Sequence, residues 1–110
     1  MTNQEMFDKA WNGLKSQGFE RCMSRIKRCV YSDSNGKHCA WGWIDKSLTD
    51  EIYCVEDLFQ LGVGVAATLS ASQLDFVVRL QICHDNAYDE FDMQNRLRNL
   101  AKEFYLIVPE

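Results

Sequence analysis

The sequence predicts an α+β fold, a mostly helical single domain over residues 1–110 with about four helices and one small antiparallel β-hairpin. Three observations lead there. Two capping boxes, Thr2-Asn3-Gln4-Glu5 and Ser70-Ala71-Ser72-Gln73, each precede apolar residues at helical spacing. Between them an Asn35-Gly36 turn is flanked by residues that favour strands. A chain of 110 residues, 46% hydrophobic and 25% charged with one Pro, supports one core and leaves no room for a second domain.

The first helix opens at Thr2. Phe7, Ala10, Trp11 and Leu14 share one face, and Gly18 supplies the stop. Residues 19–28 are polar and basic, fitting either a short strand or an irregular connection. Cys29-Val30-Tyr31 then reads as a strand, Asp33-Ser34-Asn35-Gly36 as a turn, and Lys37 to Ile44 as the returning strand. On an extended segment Trp41 and Trp43 point the same way, so one of them anchors the core. Thr49-Asp50-Glu51 reads as a helix entrance, followed by Ile52, Val55, Leu58, Phe59 and Val63 as an apolar stripe that Gly62 and Gly64 break. The Ser70 box opens a helix with Leu74, Phe76, Val77, Val78, Leu80, Ile82 and Cys83, apolar on more than one side and therefore central. In the last helix Glu90 and Asp92 sit at the positive end of the dipole and Lys102 at the negative end. Its expected buried face is Phe91, Leu97, Leu100, Ala101 and Phe104.

The net charge of -4 is too mild and of the wrong sign for a general phosphate binder. From Phe19 to His38, however, Arg21, Arg25, Lys27, Arg28 and Lys37 outweigh Glu20 and Asp33, a local net +3. That segment is either a solvated basic edge or a docking patch for an acidic protein or nucleic acid. Nothing in the chain reaches the ~20 apolar residues of a membrane span. Met1-Thr2-Asn3-Gln4-Glu5 has no basic and apolar leader pattern, which predicts an intracellular protein.

Cys22, Cys29, Cys39, Cys54 and Cys83 are odd in number and read as free, mostly buried thiols. A metal site from Cys29, Cys39 and His84, with Cys22 or His38 as the fourth ligand, has no C-x2-C pair behind it. Cys39 adjoins His38, and Cys83 adjoins His84, but neighbours on a strand or helix diverge, so neither pair forms a nucleophile with its base. His84-Asp85-Asn86 closes the central helix, where a half-buried histidine needs partners for both ring nitrogens and complements the dipole. Gly62-Val63-Gly64 lacks the rest of a phosphate-binding loop. No catalytic residue, cofactor or metal ligand is assigned.

At Cys29-Val30-Tyr31, at Asn35-Gly36-Lys37-His38-Cys39-Ala40-Trp41-Gly42-Trp43-Ile44, and again at Leu80-Gln81 with His84-Asp85, the chain resembles small bacteriophage and prophage proteins for which no reaction is established. Their pattern runs C-x-Y, then G-x-x-C-A-x-G, then an L-Q-x-x-H-D helix. The chain departs from it at Asp45-Lys46-Ser47, where the relatives often carry a proline. The resemblance implies a setting more than an activity: a phage-encoded protein in the cytoplasm of a bacterial host. Proteins of that kind commonly bind and block host machinery, including defence complexes, and an anti-CRISPR-type inhibitor is the corresponding expectation.

The expected function is therefore non-enzymatic binding and inhibition of a host protein or ribonucleoprotein. Arg25, Lys27, Arg28 and Lys37 steer encounter, and Tyr31 or Trp41 supplies the anchor. The alternatives are a small nucleic-acid binder using the basic segment 21–37, or a zinc or thiol protein. No membrane partner is expected, and the oligomeric state is not read from the sequence.

Overall fold

The fold is given by a computed structural model in which residues 1–22, 33, 35–48 and 55–109 are described. Among them are five α-helices and one 3-10 turn, and no strand. α1 spans Asn3–Ser16, α2 Ala40–Ile44, α3 Val55–Leu61, α4 Ala71–Asp85 and α5 Glu90–Glu103, with the 3-10 turn at Gly64–Thr68. None of these helices is long and apolar enough to cross a membrane.

α1 begins with the full reciprocal capping box. The Glu5 amide donates to Thr2 Oγ1 at 3.1 Å, and the Thr2 amide donates to Glu5 Oε1 at 3.0 Å. It buries Met6, Phe7, Ala10, Trp11 and Leu14. Gly18, at φ 69°, takes the left-handed position, and the next amide, Phe19, returns to the Leu14 carbonyl at 2.7 Å. This closing geometry folds Phe19 back so that its ring meets Trp11 edge-on, 4.9 Å between centroids.

The expected hairpin is where sequence and structure part. Its first strand, Cys29-Val30-Tyr31, lies outside the described residues. The turn is present: Asp33 Oδ1 accepts the amides of Asn35 and Lys37, and Gly36 sits at φ 81°. The returning strand is not, because Ala40–Ile44 coils into α2, with the Cys39 thiol capping it by accepting the Gly42 amide. The fold is therefore helical, not α+β. Docking explains the change, since β-preference reflects packing on a pleated surface and here the available surfaces are helices. The Trp41 amide donates to the Gln81 side chain of α4, and Trp43 lies against α1 at Gly13, where an added Cβ would overlap the indole. Residues two apart on a helix diverge, so Trp41 points inward at 1% exposure while Trp43 stays half-buried.

Val55 and Leu58 hold α3 to the core, with the expected break at Gly62. The entrance expected at Thr49-Asp50-Glu51, with Ile52, lies outside the described residues. After α3, the buried Asp45 carboxylate accepts the Val65 amide at 3.0 Å and the Ser47 amide at 3.2 Å, fixing the 3-10 turn beside α2. α4 carries its own complete capping box, Ser70 with Gln73, and touches α1, α2, α3 and α5, which makes it the central helix as the sequence indicates. Its buried Phe76, Val77 and Leu80 each contribute about 1.5–3 kcal/mol of apolar burial.

Candidate interaction surface

Polar chemistry converges at the C-terminal end of α4. His84 is fully buried; its Nε2 accepts the Cys22 amide at 2.9 Å, so the neutral ring carries its proton on Nδ1 and donates to Asp85 Oδ1 at 2.8 Å. The same carboxylate oxygen accepts the Gln81 side-chain amide at 2.7 Å, while Gln81 Oε1 accepts the Trp41 amide at 2.9 Å. The Arg21 guanidinium donates to the Asp85 carbonyl at 3.2 Å, satisfying an orphan group at the end of the helix. Cys22 Sγ donates to the Lys37 carbonyl at 3.2 Å. Two chain positions fifteen residues apart are thereby pinned together at the base of the basic segment.

This knot engages the buried imidazole and ties it to the backbone. Both nitrogens of the His84 ring are engaged, and one is taken by a backbone amide that cannot be displaced without opening the core. Burial pushes the Cys39 thiol far above its usual range, and pushes Cys83 up to about 11. Cys22, Cys39 and Cys83 are buried, as the sequence suggests; Cys29 and Cys54 lie outside the described residues. Among the described residues no group of three or more His, Cys, Asp or Glu side chains is arranged to hold a metal ion.

Arg25, Lys27, Arg28 and Tyr31 lie outside the described residues. Lys37 is paired with Glu20, which raises the lysine pKa chiefly through that hydrogen bond and balances its charge. Trp41, expected as a surface anchor, is buried on α2, its amide bonded to Gln81 of α4, and its ring is not available at the surface.

The surface beside the knot carries a feature the sequence reading placed inside. Phe91, expected on the buried face of α5, is 69% exposed, and its neighbour Tyr88 is 82% exposed. The cause is the start of the helix. Asp89 caps α5 by accepting the Asp92 amide at 2.8 Å, and that phase turns Met93, Leu97, Leu100 and Ala101 inward. Phe91 then falls on the outer face. The four- and three-residue steps from Met93 to Leu97 and Leu100, counted from an Asp89 cap, are the signal in the sequence that marks this phase.

Tyr88 stands on a braced corner, three residues before Phe91. Asp92 Oδ2 accepts the Tyr88 amide at 3.1 Å and Arg96 Nε at 2.8 Å, and the Arg96 guanidinium lies over the Tyr88 ring at 5.8 Å. The Arg96 hydrogen bond holds the Asp92 carboxyl below its ordinary range. Between Tyr88-Asp89-Glu90 and Phe19-Glu20-Arg21 opens a pocket of about 240 Å³, next to the knot and to the base of the basic segment.

Known proteins add nothing to this picture. No family model, curated protein or solved structure matches the chain. The surface presents exposed aromatic rings bordered by Asp89 and Glu90, which form no ion pair among the described residues.

Proposed function

We propose that the protein is a non-enzymatic, phage-encoded interaction protein that binds and inhibits a host protein or ribonucleoprotein in the bacterial cytoplasm, in the manner of an anti-CRISPR inhibitor. The observation that carries this reading is the pair Tyr88 and Phe91, 82% and 69% exposed on a corner fixed by Asp89, Asp92 and Arg96. Large rigid aromatics dominate binding energy at protein interfaces, and pre-ordering them lowers the entropy lost on docking. The phage setting comes from the resemblance at residues 29–44 and at Leu80-Gln81 with His84-Asp85.

Parallel affinity capture from a bacterial host lysate tests it, using the wild-type chain and a Tyr88→Ala/Phe91→Ala variant. The expected result is a defined host protein, identified by mass spectrometry and reconstituted from pure components, that the wild type holds and the variant releases. Capture of nucleic acid alone, with binding that falls steeply as salt rises, would instead support the nucleic-acid reading of segment 21–37.

A further inference from the structure

The aromatic corner has a chemical preference of its own. Three carboxylates, Glu20, Asp89 and Glu90, border the pocket between Phe19-Glu20-Arg21 and Ala87-Glu90. Among the described residues, Arg21 lines the pocket but is directed at the Asp85 carbonyl, Lys37 is paired with Glu20, and Arg96 lies over the Tyr88 ring. Asp89 and Glu90 form no ion pair among the described residues. Carboxylates beside exposed rings repel a phosphate backbone and suit a cation that can also lie flat on an aromatic face.

We infer that the α4–α5 corner docks a basic polypeptide segment of the partner, with an arginine laid on Tyr88, its guanidinium among Glu20, Asp89 and Glu90, and an apolar side chain of the same segment on Phe91. This rests on reading the protein as an interaction protein, and it names the chemistry of the partner at that surface. Arginine fits better than lysine, because its planar guanidinium is weakly hydrated and both stacks and pairs bidentately with carboxylates. The chain uses the same contact within itself: Arg79 lies over Phe104 at 5.2 Å, Arg98 over Trp11 at 5.0 Å and Arg96 over Tyr88 at 5.8 Å. Arg96 occupies one side of the Tyr88 ring, which nonetheless remains 82% exposed.

Fluorescence anisotropy with a labelled peptide of alternating arginine and leucine tests the assignment, with a peptide carrying citrulline in place of arginine as the neutral isostere. The arginine peptide should bind about tenfold more tightly than the citrulline peptide, a difference of about 1.4 kcal/mol. Phe91→Ala and Glu90→Gln should each weaken the arginine peptide several-fold. Asp75→Asn, at an exposed site on α4, should leave it unchanged. Equal binding of the two peptides, or undiminished binding by Phe91→Ala and Glu90→Gln, would overturn the assignment. So would concentration-dependent self-association abolished by Phe91→Ala, which would give the corner to a second copy of the chain. If host-protein capture survives in both variants while they bind the arginine peptide as the wild type does, this inference fails and the broader reading stands. Peptide binding by the corner with no host protein captured supports the inference and removes the broader reading.

Discussion

The knot at His84 and the corner at Tyr88 lie next to each other in the chain and use their residues in opposite ways. In the knot and beside it, an imidazole and two thiols are turned inward and bonded to backbone, and a half-buried carboxylate is bonded to the His84 and Gln81 side chains. At the corner, the residues best suited to a core, a tyrosine and a phenylalanine, are turned outward and braced by capping bonds. Polar bonds close the end of α4 over the apolar core, and two apolar rings beside it face solvent.

Substitution separates the two regions most sharply at His84. His84→Ala leaves the buried Cys22 amide without an acceptor and opens a cavity, so it should cost about 3 kcal/mol in urea unfolding. Tyr88→Ala or Phe91→Ala should shift stability by less than about 0.5 kcal/mol, because each ring is mostly solvated in the folded state. A large loss at the corner would mean that its rings serve the fold.

Gly13→Ala tests the packing beside the knot. The added methyl must push the Trp43 indole off α1 and away from Gln17, whose Oε1 accepts its Nε1–H at 3.0 Å, at a cost of about 1–3 kcal/mol. Tryptophan fluorescence should report the ring's move to solvent. At the other extreme, Tyr105 holds φ 56° at the end of α5 while 95% exposed, a conformation that glycine adopts without strain. Tyr105→Gly should therefore leave the fold intact and raise stability by up to about 1 kcal/mol in thermal unfolding.

Much of this architecture is legible in the sequence. Both capping boxes, the α1 core face, the stop at Gly18, the break at Gly62 and the central place of α4 follow from local chemistry that the structure retains. What local chemistry misses is set by long-range docking. Ala40–Ile44 carries strand-favouring residues, yet it is a helix because Gln81 takes the Trp41 amide and Gly13 makes room for Trp43. The same limit hides the corner, since an aromatic at Phe91 looks like core until Asp89 is recognised as the cap that sets the phase. Phe91 is exposed rather than buried for that reason, and Trp41, expected as a surface anchor, is instead the core tryptophan of α2.

The smallest expected effect concerns acid. The Glu5 carboxyl is held below its ordinary value of 4.5, chiefly by the Thr2 amide. A depressed folded pKa stabilises above the unfolded value and is lost as pH falls through the folded one. Stability should thus dip slightly as pH drops below 4.5, and Glu5→Gln, which removes the titrating carboxyl, should flatten that part of the profile in pH-dependent unfolding.

Native-state amide hydrogen exchange across the chain, with and without the arginine peptide, sets the two regions against each other in a single measurement. The Cys22 amide, held by His84, should exchange only through global unfolding in both conditions, and new protection on adding the peptide should be confined to residues 19–21 and 87–91. A Cys22 amide that exchanges by local opening, or peptide-induced protection that appears elsewhere, would contradict the division between an interior that holds and a corner that binds.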